Sequence, residues 1–242
     1  MNTLPEPTFL TIEVNHEDLN DLSILHLSDL HVSTRVSRES LVELVAVCDK
    51  LQCDFIVITG DVIDTSAKDV QDRLKILNSM KSPVYYVSGN HDLFYGLSDL
   101  KKSLENFVFM DNKCAFFNFN GKIIHIVGLP DRFSKFFKIE RKIETIISYA
   151  NKNSPIIFLA HQPKDFSIAI KANASLFLCG HTHGGQIFPF HYLVRLVQPF
   201  LSGLSYVGEM AIYVNRGLGT WGLHYRYKAP SEIVLLRLKH AS

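Results

Sequence analysis

Cysteine is sparse: Cys48, Cys53, Cys114 and Cys179 are the only four in 242 residues, and no two of them form a C-x-x-C pair. A zinc ribbon and a dithiol redox site are thereby excluded, and thiols spread this thinly read as reduced, in a cytoplasmic protein. Runs of about 18 consecutive apolar residues are missing as well, so no bilayer span is expected. Residues 1–22 lack a basic start followed by an apolar core, so neither is secretion. The net charge is only +1, which removes any bulk electrostatic case for nucleic acid or an acidic partner. No Pro, Gly or Ser tract and no solenoid-period repeat divides the chain, so a single domain over residues 1–242 is expected. With 47% hydrophobic and 20% charged residues, it can bury a sizeable core.

What the sequence does contain is a series of short runs rich in Val, Ile and aromatic residues. These are "SILHLS" from Ser23, "FIVIT" from Phe55, "VYYVS" from Val84, "IIHIVG" from Ile123, "IIFLA" from Ile156 and "SLFLC" from Ser175. Each has the length of a buried strand. Helical periodicity lies between several of them, over Arg38–Leu51, Ala67–Met80 and Phe137–Ala150, so an α/β layered architecture follows. Glu209–Val214 and Glu232–Leu238 read as strands without intervening helices, and Phe107–Phe119 resembles a meander. Mixed sheets are therefore expected rather than one purely parallel sheet.

Polar residues gather where these runs end. "SILHLS" leads into Asp29 and His31, "FIVIT" into Gly60 and Asp61, "VYYVS" into Gly89, Asn90, His91 and Asp92, "IIFLA" into His161, and "SLFLC" into Gly180, His181 and His183. Ligands of open α/β sheets bind beyond the carboxyl ends of the strands, so the five loops should converge. Asp29, His31, Asp61, Asn90, His161, His181 and His183 are too many donors for one tetrahedral ion, but they suit two divalent ions sharing a carboxylate. Oxygen and nitrogen donors without thiolate point to manganese, with iron or zinc as alternatives. Gly184 and Gly185 are expected to let the turn aim both imidazoles inward and to let substrate oxygens approach the backbone.

The ordered set "DLH", "GDVID", "GNHD", "H" and "GHTH" resembles the calcineurin-like metallophosphoesterase superfamily over residues 29 to 183. "GHTHGGQI" and "VNRGLGT" resemble its bacterial membrane-associated phosphodiesterase branch, which includes the alternative UDP-2,3-diacylglucosamine pyrophosphatases of lipid A synthesis. The resemblance implies a four-layer α/β/β/α sandwich of two mixed sheets flanked by helices, with a dinuclear centre at one edge. It assigns Asp29, His31 and His183 to one metal, Asn90, His161 and His181 to the other, and Asp61 to both. His91 matches a catalytic histidine that is not a ligand, and Asp64 its carboxylate partner. Many members of that branch carry an N-terminal membrane anchor, a pattern that residues 1–22 do not show.

The implied reaction is hydrolysis of a phosphodiester or pyrophosphate bond by metal-bridged hydroxide. Ile187–Val207 is apolar and aromatic, with Arg195 its only formal charge, and "RFSKFFKI" from Arg132 mixes bases with Phe. These stretches favour a lipid-linked substrate such as UDP-2,3-diacylglucosamine and contact with an inner-membrane surface, against a core-covering role for the first and an ordinary helix entry for the second. A soluble diester such as a cyclic nucleotide, or a non-catalytic metal-binding scaffold, are the alternatives; nucleic acid is not expected, and oligomeric state is not legible. Among Arg35, Arg132, Arg195, Arg216 and Arg226, Arg216 has the best claim to touch substrate, because it lies in the "NRGLG" stretch. His26 and His125 read as packed strand residues and His16 and His240 as solvated. His191 and His224 read as surface residues that lie close enough in sequence to line the cleft.

Overall fold

A computed structural model describes residues 4–150 and 154–241. Twelve strands follow one another as β1 (Thr8–Val14), β2 (Ser23–Leu27), β3 (Phe55–Ile58), β4 (Val84–Tyr86), β5 (Phe107–Phe109), β6 (Lys113–Phe119), β7 (Lys122–Gly128), β8 (Ile156–Leu159), β9 (Leu176–Cys179), β10 (Gly203–Val207), β11 (Met210–Val214) and β12 (Val234–His240). They form two six-stranded sheets, in the orders β1-β12-β2-β3-β4-β5 and β10-β11-β9-β8-β7-β6. Both are mixed: β12 runs against β2, and β10 and β6 run against β11 and β7, while the central strands of each sheet are parallel.

Alternation along each strand explains the layering. Ile24, Phe55, Val57 and Tyr85 of the first sheet meet Ile124, Ile157, Leu159, Leu176 and Leu178 of the second in a core between the sheets. The alternate residues Leu25, Leu27, Ile56 and Ile58 face outward onto α1 (Arg38–Lys50), α2 (Gln71–Leu77) and α4 (Leu97–Ser103), the last of which follows α3 (Asn90–Tyr95). Ile156, Phe158, Phe177 and Cys179 face the other way, toward α5 (Ile143–Ser148) and α6 (Phe166–Lys171). Strands buried on both faces read as unbroken apolar runs, the pattern the sequence shows. In α1, Ser37 caps the first turn by accepting from the Ser40 amide, and Leu41, Leu44, Val45 and Cys48 form the buried stripe.

The meander expected over Phe107–Phe119 does not form. β5 closes the edge of the first sheet and β6 closes the edge of the second, so the chain crosses between layers at Met110 to Asn112. Within Phe137–Ala150, only Ile143–Ser148 is α-helical. Lys138 takes a left-handed conformation at φ 57°, and the Asn112 side chain occupies the Glu140 carbonyl and the Lys142 amide that a continuous helix would use.

His26 and Thr59 link this core to the strand ends. His26 Nε2 donates to Thr59 Oγ1 at 2.9 Å, Thr59 Oγ1 donates to Ser28 Oγ at 2.9 Å, and Ser28 donates to Asp29 Oδ2 at 2.5 Å. His26 is therefore a core residue bonded through Nε2 alone, its Nδ1 buried without a partner, and burial holds its pKa down to about 3 against the opposing charge of Asp29. The unfolded chain binds this proton below pH 6.5 and the folded chain does not, so the neutral ring loses stability as pH falls from 6.5 toward about 3. A His26→Leu variant is expected to flatten urea-unfolding stability over that window by ~1.4 kcal/mol per pH unit relative to wild type. Parallel profiles for the two proteins would show that His26 is not the titrating group.

Candidate metal centre

The loops that leave β2, β3, β4, β8 and β9 are joined to one another by backbone hydrogen bonds. The Asp29 and His31 amides donate to Gly60 and Asp61, and the Gly180 amide donates to His161. The His181 amide reaches the Asp29 carboxylate at 3.0 Å. Space between the loops is tight. A side chain on Gly89 would run into the Asp61 carboxylate, and one on Gly180 would strike Ser28 and Asp29. These two glycines serve close approach of backbone to carboxylate.

Two clusters of side chains result, and both contain members of the expected set: Asp29 with His31 and His183, and Asp61 with His161 and His181. In the first, His183 Nε2 lies 3.2 Å from Asp29 Oδ1 and 3.1 Å from His31 Nε2. In the second, His161 Nε2 lies 3.2 Å from Asp61 Oδ2 and 3.1 Å from both Asn90 Oδ1 and His181 Nδ1. Asp61 Oδ2 is also 3.9 Å from His31 Nε2, so its carboxylate stands between the clusters.

Both clusters crowd hydrogen-bond acceptors around a buried carboxylate. His161 Nδ1 is committed to the Thr59 carbonyl at 2.6 Å, so a neutral ring turns its Nε2 lone pair toward the Asp61 and Asn90 oxygens, with His181 Nδ1 3.1 Å away. Asp29 Oδ2 accepts from Ser28 and from the His181 amide, whereas Asp29 Oδ1 is buried without a hydrogen-bond partner. Burial disfavours charge on these groups, yet the neighbouring histidines hold Asp61 down to about 2 and Asp29 well below the usual carboxylate range. His161 is pushed the other way: burial alone would lower its pKa, but Asp61 and Asp29 raise it well above the ordinary imidazole value. The carboxylates thus demand positive charge at this spot, from a proton or a metal ion. His181 and His183 are held neutral, at about 3 and about 4, chiefly by burial. His183 Nδ1 accepts from the Arg226 guanidinium at 3.0 Å, so its neutral ring carries a proton on Nε2 toward Asp29, which a metal ion would have to displace.

The backbone carries the cost of this convergence. Asp29, His31, Asp61, His181 and His183 all have positive φ, between 47° and 71°. For a residue with a Cβ, that conformation costs on the order of 1 kcal/mol or more. This left-handed kink aims both imidazoles of "GHTH". Gly185, which lines the cavity over this centre, also makes room for His191 at the start of α7 (His191–Val197).

His91 sits beside the two clusters and donates from Nδ1 to Asp64 Oδ1 at 2.7 Å. Burial works against its protonation, but Asp64 and Asp61 outweigh that and raise its pKa above the ordinary value. Asp64 is pulled far down by hydrogen bonds with His31 and His91 despite its burial. Over the centre opens a cavity of about 590 Å³, lined by Asp61, Asn90, His91, His181 and His183 on one side and by Phe190, Leu193, Val197, Trp221 and Leu223 on the other.

None of the five singled-out arginines lines this cavity. Arg216, expected to touch substrate, places its guanidinium on buried Glu232 at 2.6 Å, and Arg132 pairs with Asp165. Arg226 donates to His183 Nδ1 at 3.0 Å and to the carbonyls of His183, Gly217, Gly219 and Ala229, and Arg35 contacts His224. His191 is stacked on Phe188 outside the cavity. Two residues that do shape the site were given no role from sequence. Gln186 pins the Trp221 loop through the Trp221 and Leu223 carbonyls and the Trp221 amide. Asp92 accepts from the amides of Asp61, Val62, Ile63 and Gly89 and from the Tyr86 hydroxyl. Their positions in "GHTHGGQI" and "GNHD" were the available signal.

Asp92→Asn replaces an acceptor-only carboxylate with a group that must point an N–H at one of those donors. The variant is expected to lose ~2–4 kcal/mol of stability in urea titration. It is also expected to hold Asp61 less firmly, which metal analysis after gel filtration would detect as reduced occupancy. Unchanged stability would show that the donors find other partners.

The profile of the calcineurin-like phosphoesterase family matches residues 22–185. A metallophosphoesterase from Helicobacter pylori is 36% identical over 225 residues, covering 90% of this chain and 60% of the relative. A transmembrane protein with a metallophosphoesterase domain from Danio rerio is 32% identical over 249 residues, covering 96% of this chain and 56% of the relative. The chain therefore spans about 60% of the length of such curated relatives. No helix among the described residues is long and apolar enough to cross a membrane. Among solved structures, a dimetal phosphatase from Danio rerio superimposes with a TM-score of 0.56 at 11% identity, over 90% of this chain and 99% of that one. The NAD nucleotidase of Haemophilus influenzae also gives 0.56, at 19% identity, over 81% of this chain and 45% of that one. These two likenesses speak to the fold alone, whereas the profile match spans most of the chain and includes all the strand-end motifs. The chain belongs to the calcineurin-like phosphoesterase family.

Proposed function

We propose that this chain, acting as one domain, is a metal-dependent hydrolase of phosphodiester or pyrophosphate bonds. The observation that carries the reading is the pair of buried ligand clusters, Asp29 with His31 and His183 and Asp61 with His161 and His181, beside a cavity with one apolar wall. Asp29, His31 and His183 would hold one divalent ion, Asn90, His161 and His181 the other, and Asp61 would serve both. Manganese, iron and zinc all suit oxygen and nitrogen donors of this kind, with manganese preferred. Bound there, such ions supply Lewis acidity toward phosphoryl oxygens and an acidified water.

The protein's own contribution lies in His91 and Asp64. With Nδ1 engaged by Asp64, the ring of His91 presents Nε2 to the cavity, where it can donate a proton to a phosphoryl or leaving oxygen while Asp64 stabilises the imidazolium. The apolar wall excludes water and offers a place for a hydrocarbon or an aromatic base. It supports a lipid-linked substrate, of which UDP-2,3-diacylglucosamine is the concrete candidate.

His91→Ala is expected to lower turnover of bis(p-nitrophenyl) phosphate by roughly 10²–10⁴-fold with metal content unchanged. Loss of metal together with activity would make His91 a ligand. Metal-stripped protein that hydrolyses the ester as fast as reloaded protein would defeat the metal-dependent mechanism itself. In mixed micelles, UDP-2,3-diacylglucosamine is expected to be cleaved at higher kcat/KM than its deacylated analogue. Equal values for the two would remove the lipid from the substrate.

A further inference from the structure

The rim of the cavity exposes side chains that water solvates poorly. α7 buries none of its residues, and Leu196 is 81% exposed with Tyr192, Leu193 and Val197 exposed beside it. On the same wall, Trp221 and Leu223 are exposed too. On the His91 side, Phe94 lies 6.2 Å from that ring and packs on Phe133 and Phe137, next to which Phe136 is 68% exposed. Apolar side chains thus flank one opening on opposite sides, which scattered surface hydrophobics would not do.

Charge on the same rim is predominantly positive. From Ile187 to Ser231 the only carboxylate is Glu209, and residues 132–142 contain only Glu140, in a chain whose net charge is +1. Several cations there are engaged internally: Asp165 holds Arg132 and Arg141, and Glu232 holds Arg216. Lys135, Lys138, Lys142, Arg195 and Lys228 are exposed and make no ion pair among the described residues. Lys135 and Lys228 lie over the rings of Phe136 and Phe188, at 4.9 and 4.7 Å from the centroids. Unpaired cations interleaved with exposed aromatic residues complement the boundary between anionic headgroups and acyl chains.

We propose that this rim docks on an anionic lipid bilayer, with α7 and Phe136 entering the headgroup–acyl boundary and the unpaired lysines meeting lipid phosphates. The proposal rests on the reading that the phosphate ester enters through this cavity. Docked in this way, the chain would draw a lipid-borne ester sideways into the cavity without exposing its hydrocarbon to water.

The test is co-sedimentation with vesicles of phosphatidylcholine alone or with added phosphatidylglycerol, using wild type, Leu196→Asp/Phe136→Asp and Lys135→Glu/Lys138→Glu. None of the four altered residues lines the cavity. Wild type is expected to sediment with the anionic vesicles, weakly with neutral ones, and less as salt is raised. Each double variant is expected to partition roughly tenfold less or worse, while its hydrolysis of bis(p-nitrophenyl) phosphate and its thermal midpoint stay at wild-type values. Docking is overturned by equal partition of wild type and both variants, by equal partition onto neutral and anionic vesicles, or by no partition at all. A dimer in analytical ultracentrifugation that Leu196→Asp dissociates, with no vesicle binding, overturns it in favour of a second copy. Vesicle binding by a protein that cleaves no diester supports docking and overturns the hydrolase reading instead.

Discussion

Two buried carboxylates, Asp29 and Asp61, require positive charge within a few ångströms, and the protein surrounds them with imidazoles. His161 shows the constraint best. Its Nδ1 proton belongs to the Thr59 carbonyl, and its Nε2 faces the Asp61 and Asn90 oxygens and His181 Nδ1. Such an arrangement needs a proton or a metal ion in its middle, because in a medium of low polarity neither charge nor lone pair can be left to water. The five left-handed residues, the Ser28 and Asp92 hydrogen bonds and the close-packed Gly89 and Gly180 all follow from holding that arrangement together.

The sandwich suits this task because each sheet sends parallel strands toward the same edge. β2, β3 and β4 lie side by side in one sheet, and β9 and β8 do so in the other. The apolar core between the sheets holds these strand ends opposite each other, so loops distant in sequence meet without being long. Rigid strands position the donors, while the more exposed stretch after Gln186 shapes what can reach them. The donors thus sit at the strand ends, while Leu193, Val194 and Val197 of α7 and the Trp221 loop line the cavity beside them.

Much of this was legible before any coordinates. Runs such as Phe55–Ile58 and Leu176–Cys179 are apolar on both faces because both faces are buried, so they stand out as strands, and the polar residues that end them stand out as a site. Less was visible wherever a side chain from elsewhere decided the local structure. Asn112 captures the backbone at Glu140 and Lys142 and shortens a helix that periodicity favours. Glu232 captures Arg216, a cation that its place in the chain had pointed at substrate. Phe107–Phe119 reads as one meander because strand signals do not say which sheet a strand joins.

The sequence by itself determined the layered α/β class and the strand-end placement of Asp29, His31, Asp61, Asn90, His161, His181 and His183, while its family resemblance supplied the grouping of these donors and the pairing of His91 with Asp64. The first two features are local: they depend on burial periodicity and on which residue types follow a strand. Only the tertiary structure decided the distances among these side chains, that Asp92 and Gln186 hold the site's loops, and that α7 is left uncovered beside the cavity. Each of these depends on contacts between segments separated by scores of residues, and no local pattern encodes where a folded chain will bring such segments together.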